Sequence, residues 1–191
     1  MQVFVSNVNT GTVSRLDATV DNGRFTVQHQ TLVASGYQHA TNPAAFVLGP
    51  SGLAYDARRD ILYVANSDSN QIFAVADAGH RTRSGGTGTV IFADPTYLHG
   101  PVGLVLAPNG HLITANSDGS NADPAQPSEI VEFTVGGKFI FQFPIDPNNG
   151  GAFGIAIGPS PLGDDFFRFA AVDDNNDTLT VFTEAGPCGG R

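Results

Sequence analysis

Apolar residues in this chain come in short runs, and the runs come in pairs. Ile61–Ala65 (ILYVA) leads through a polar corner, Asn66–Gln71, into Ile72–Ala76 (IFAVA), which ends at Asp77 and Gly79. Two apolar runs joined by Asn, Ser and Asp predict a β-hairpin, because those side chains hydrogen-bond their own backbone in turns. The same pattern spans Val3–Thr19 with its corner at Asn7–Thr12, and Phe167–Gly186 with its corner at Asp173–Asp177. A looser version runs from HLITAN through a longer corner containing ADPAQPS into EIVEFTV, Glu129–Val135. No long segment shows a 3.6-residue period with helix caps, so the pattern predicts an all-β chain.

The hairpins belong to a larger repeat. GPSGLAYD starts at Gly49, GPVGLVLAPNG at Gly100 and GAFGIAIGPSP at Gly151, a spacing of 51 residues each time. The corner Asn66-Ser67-Asp68 returns as Asn116-Ser117-Asp118. Each unit holds about four short strands, and units fall at about 1–48, 49–99, 100–150 and 151–185, with 186–191 a flexible Gly-rich tail. A period near 50 residues with four strands per unit is the signature of β-propeller blades. About three and a half four-stranded antiparallel blades are expected, forming a single propeller-type domain. Runs such as ILYVA, LVLA and FIFQF are nearly continuous, as expected of strands covered on both faces.

These residues carry a family likeness. LYVANSDSNQIFAVADAG resembles the YVTN-type propeller repeat, and GPSGLAYD and GPVGLVLAPNG resemble the first strand of NHL-type repeats. The resemblance implies the C-terminal blades of a six- or seven-bladed propeller, a partial ring. Its open blade edges would favour self-association. It also implies a secreted or periplasmic location, although Met1 runs straight into QVFVSN with no signal peptide ahead of it. Metal-dependent enzymes of such folds place Asn, Asp or His ligands near the variable residue of GPxG. The matching tunnel-mouth positions here are Ser51, Val102 and Phe153, which are poor metal ligands.

Composition narrows the partners. The net charge is −9, carried mostly by Asp, and Lys138 is the one lysine. No basic footprint exists for nucleic acid or an anionic membrane surface. No apolar run approaches the roughly 20 residues that span a bilayer, so no membrane insertion is expected. The one cysteine, Cys188, excludes an intrachain disulfide and a cysteine-based metal site.

The remaining candidates for chemistry lie in corners and connections. Asp173, Asn175 and Asp177 alternate as calcium ligands do, and Glu184 falls at the twelfth position counted from Asp173. Thr178 stands where a calcium loop needs Gly, and Asn and Asp are what a hairpin corner selects in any case. Asn66, Asp68, Asn70 and Asn116, Asp118, Ser120 repeat the same spacing. His39 and His99 each precede a Gly-Pro element and are the titratable pair best suited to proton transfer near neutral pH. SGGTGT at Ser84–Thr89 lacks the lysine of a phosphate loop, and the adjacent Asp173 and Asp174 face opposite sides of a strand. With no catalytic set legible, the sequence favours a non-catalytic scaffold that binds a protein or small ligand at its rim or tunnel mouth. The alternative is a hydrolase, lactonase or lyase whose metal ligands lie partly outside this chain.

Overall fold

A computed structural model describes residues 1–42, 46–160 and 163–183. The tail residue Cys188 and the calcium candidate Glu184 lie outside the described residues. The all-β expectation holds. Four antiparallel sheets follow one another along the chain. The first contains β1 (Gln2–Asn7), β2 (Thr12–Asp21) and β3 (Arg24–Ser35). A two-stranded ribbon, β4 (Ala40–Asn42) with β5 (Phe46–Leu48), leads to the second sheet. That sheet is β6 (Pro50–Asp56), β7 (Ile61–Asn66), β8 (Gln71–Ala76) and β9 (Thr89–Phe92). The third is β10 (Pro101–Leu106), β11 (His111–Asn116), β12 (Glu129–Thr134) and β13 (Phe139–Pro144). The fourth is β14 (Ala152–Ser160), β15 (Gly163–Asp173) and β16 (Thr178–Thr183).

Neighbouring sheets meet through their first strands: β1 lies on β6, β6 on β10, and β10 on β14. The repeated GPxG element explains why they approach so closely. A Cβ on Gly52 would sit 2.6 Å from the Leu104 amide nitrogen, and one on Gly103 would sit 2.5 Å from the Phe153 carbonyl oxygen. Only glycine leaves room for backbone against backbone there. Apolar side chains fill the space behind these strands. Leu62, Val64 and Phe73 pack with Val13 and Tyr37 between the first two sheets. Tyr63, Ile72, Leu112 and Phe133 form the core between the second and third. Ile130, Ala115 and Ala171 do so between the third and fourth.

The structure corrects the expected propeller. Its sheets are four separate, unclosed units of three or four strands, not uniform four-stranded blades of a six- or seven-bladed ring. Among the described residues, no packing of the fourth sheet on the first compares with that between successive sheets. The physical reason lies in what an apolar run reports. A continuous run says that a strand is covered on both faces, and any stack of sheets does that for its inner members. Curvature and closure leave no such trace in the periodicity. The end sheets confirm the difference: β16 is exposed along its whole length, while β7 and β11 are almost wholly buried.

Candidate metal centre

The third sheet brings together three side chains of metal-ligating type from its entry connection, its long corner and the start of β12. His99 stands in the connection leading to β10, Asp118 in the corner after β11, and Glu129 at the start of β12. The same backbone lock that recurs in the repeat positions them. Ser117 donates its N–H to the Gly100 carbonyl at 3.0 Å, as Ser67 does to Gly49 in the second sheet. In the third sheet the lock extends one residue further. The Asp118 N–H donates to the His99 carbonyl at 2.7 Å, which fixes the two ligand-bearing residues side by side. Asp118 itself holds a left-handed backbone conformation, φ 55°, which Asp tolerates better than most residues.

Glu129 arrives on the same strand face as Val131 and Phe133, since alternate residues share a face. All three are buried, and Glu129 is fully so. His99, 1% exposed, points its Nδ1 at Glu129 Oε1, 2.7 Å away. That hydrogen bond raises the His99 pKa above its ordinary value; burial opposes it, and the charges of Glu129, Asp118 and Asp123 reinforce it. Asp118 Oδ2 accepts N–H groups from Ser128 at 2.9 Å and Gly150 at 3.0 Å. The second oxygens are different. Asp118 Oδ1 and Glu129 Oε2 are both buried with no hydrogen-bond partner. One ligand atom from each of His99, Asp118 and Glu129 lies within 4.8 Å of the others. Buried carboxylate oxygens without partners are costly, and a cation between them removes that cost.

This set is not part of the repeat. At the matching positions the second sheet carries Leu48, Asp68 and Gln71, and the fourth carries Gly150, Asn175 and Thr178. The lock is common to the units and the chemistry belongs to one of them.

Beside the cluster lies a cavity of about 750 Å³. Ser51, Val102 and Phe153, the three positions singled out from GPxG, all line it, together with Ser6 and Asn175. Ser117 and Gly150 are also in its wall. The first precedes Asp118 in sequence, and the second donates its N–H to Asp118 Oδ2. Ser51 Oγ donates to the Pro101 carbonyl at 3.1 Å. Among the described residues the cavity wall contains no Lys, Arg or His.

The other sequence-derived candidates fall elsewhere. His39 is exposed after β3, with Nδ1 3.1 Å from the Tyr37 carbonyl. Among the described residues it forms no hydrogen bond with His99. At the last corner Asp173 Oδ1 accepts the Asn175 N–H at 3.0 Å, and its Oδ2 accepts from the Asn176 amide at 2.7 Å. The Asn175 amide nitrogen turns toward Asp146 Oδ1 and the carbonyls of Asn148 and Asn149. Asp177 supplies the left-handed turn residue, φ 53°.

The scaffold reading rested on the absence of a catalytic set, and the cluster of His99, Asp118 and Glu129 overturns that premise. Sequence reasoning singled out His99, and it noted Asp118 as one member of a corner with calcium-ligand spacing that a hairpin turn explains equally well. Glu129 was missed as a ligand. Its signal was present: one of three glutamates in the chain, in register with Val131 and Phe133 on a core-facing strand.

No family model matches the chain, and no curated protein does either. Solved structures do. A luciferin-regenerating enzyme matches with a TM-score of 0.53 at 16% identity, over 94% of this chain and 52% of its own. A protein from Lactobacillus plantarum matches with a TM-score of 0.49 at 17% identity, over 95% of this chain and 53% of its own. Kuenenia stuttgartiensis hydrazine synthase matches with a TM-score of 0.44 at 15% identity, over 96% and 46%. The chain therefore spans about half the length of these structures. At such identities the first likeness speaks to fold alone.

Proposed function

We propose that the chain is a hydrolase or lyase that works with one metal ion held by His99, Asp118 and Glu129. The observation that carries this reading is the pair of buried, unpartnered carboxylate oxygens, Asp118 Oδ1 and Glu129 Oε2, beside a buried imidazole. One nitrogen and two carboxylate oxygens suit Zn²⁺ or Mn²⁺ better than Ca²⁺, which takes six to eight oxygens. An ion in such a set lowers the pKa of a bound water and polarises a carbonyl.

The chain's own residues supply the rest. The Ser128 and Gly150 N–H groups hold Asp118 in orientation, as the outer partners of metal ligands do. The adjoining cavity offers hydroxyl and amide groups and the Asp174 carboxylate beside Val102 and Phe153, with no cationic side chain among the described residues. That lining suits a small uncharged ester or lactone and disfavours phosphates and carboxylates.

Hydrolysis of p-nitrophenyl acetate and of a simple lactone tests this. The protein should lose turnover in EDTA and recover it with Zn²⁺ or Mn²⁺. Asp118→Asn should lose it under all conditions, and Ser51→Ala should raise KM more than it lowers kcat. Turnover indifferent to EDTA and to Asp118→Asn would sink the proposal. A second reading, favoured by the near-complete burial of His99 and Glu129, gives the ion a structural role, since structural sites are closed. In that case metal raises stability while neither substrate turns over.

A further inference from the structure

The two ends of the sheet array carry faces built like its interior but covered by nothing among the described residues. In the fourth sheet, Ile155, Phe169 and Ala171 face the third sheet. Register puts Ala156, Ala170 and Val181 on the opposite face, with Leu179 beside Val172. Leu179 is 63% exposed and Val181 50%. In the first sheet, Val5 pairs with Ser14 and Ser14 with Leu32, away from the second sheet. Leu32 is 42% exposed, and Val20 and Phe25 continue the exposed apolar surface along the hairpin.

Gly154 is the more specific signal. The equivalent Gly52 and Gly103 each lie against the backbone of the next sheet's first strand, an approach that excludes any Cβ. Gly154 keeps the glycine, yet a Cβ there would meet only Val172 of its own sheet, at 3.4 Å. Its backbone has the room that another strand would occupy.

We propose that a second copy of this chain covers these faces, with the β1–β3 sheet of one copy seated on the β14–β16 sheet of the other. A two-fold axis repeats the contact, so both end faces of both copies are covered and the assembly closes at two chains. Two observations favour a second copy over another partner. The vacant place beside Gly154 repeats the packing the chain uses between its own sheets. The chain exposes 10143 Å². A compact monomer of 19.9 kDa would expose about 8,700 Å² by the usual scaling. The excess is about 1,400 Å² per chain, which over two chains matches an extensive rather than a standard-size interface.

Light scattering coupled to size-exclusion chromatography of the full chain, at about 1 to 100 μM, tests this. The expected mass is twice 19.9 kDa at the higher concentrations. Gly154→Val and Leu179→Asp should shift the protein to one chain, with unchanged far-UV circular dichroism. Leu32→Asp, on the opposite face, should do the same. A one-chain mass throughout overturns the proposal, as does an open-ended series of masses. So does a two-chain mass that survives all three substitutions. Gly154 lines the cavity beside the metal centre, whereas Leu32 and Leu179 lie in neither, so in those two variants loss of the dimer and loss of metal binding or turnover are separate results.

Discussion

Glu129→Gln isolates the charge that faces His99 while keeping the side chain's shape. Glu129 is fully buried and its Oε1 lies 2.7 Å from His99 Nδ1. Breaking a buried ion pair from one side costs about 3–5 kcal/mol. The glutamine oxygen still accepts a hydrogen bond from the ring, which restores about 1–2 kcal/mol. A net loss of about 2–3 kcal/mol is expected in EDTA. In Zn²⁺ or Mn²⁺ at one hundred times the dissociation constant, the wild type gains about 2.7 kcal/mol and the variant gains little. The gap then widens to about 5 kcal/mol. With a urea slope of about 2 kcal/mol/M, the midpoints differ by about 1 M without metal and about 2.5 M with it. Urea unfolding followed by circular dichroism and tyrosine fluorescence reads both. An identical gap in EDTA and in metal would refute the role of Glu129 as a ligand. A gap below about 0.5 kcal/mol in EDTA would refute the buried pair.

Three further outcomes follow from the geometry. Gly52→Ala forces a Cβ to within 2.6 Å of the Leu104 amide nitrogen, and should lower the urea-derived stability by about 2 kcal/mol or more. Gly158→Ala, with nothing within 4 Å, should change it by less than about 0.5 kcal/mol. Asp60 titrates below its ordinary value: burial raises it, but the His80 ring, the Gly79 N–H and the Tyr55 hydroxyl together hold the carboxylate form. A depressed carboxyl pKa gives stability that is present above the unfolded value and lost as pH falls through the folded one. The stability difference between wild type and Asp60→Asn, from denaturant melts, should therefore be larger at pH 6 than at pH 2.5.

The hairpins were legible because local chemistry writes them. The corner between β7 and β8 is Asn66 to Asn70, with the Asn66 side chain accepting the Asp68 N–H at 2.9 Å. The 51-residue GPxG spacing likewise marked the first strand of each unit, and the structure shows those strands meeting at Gly52 and Gly103. The arrangement of the sheets was not legible, because an open stack and a closed ring bury the same apolar runs. The metal centre was only half legible. His99, Asp118 and Glu129 meet through tertiary packing across a long corner, and no fixed spacing in the chain announces it. What the repeat did offer was contrast. Where Leu48 and Gln71 stand in one unit, His99 and Glu129 stand in the next, and a titratable departure from an apolar or neutral repeat position marks a place where chemistry has been added.

Metal stoichiometry tests the centre most directly. The full chain would be equilibrated with Zn²⁺ or Mn²⁺, passed over a desalting column, and measured by plasma mass spectrometry beside His99→Ala and Asp118→Asn. One ion per wild-type chain, and none in either variant, is the expected result. A wild-type chain that retains no more metal than the two variants would contradict it.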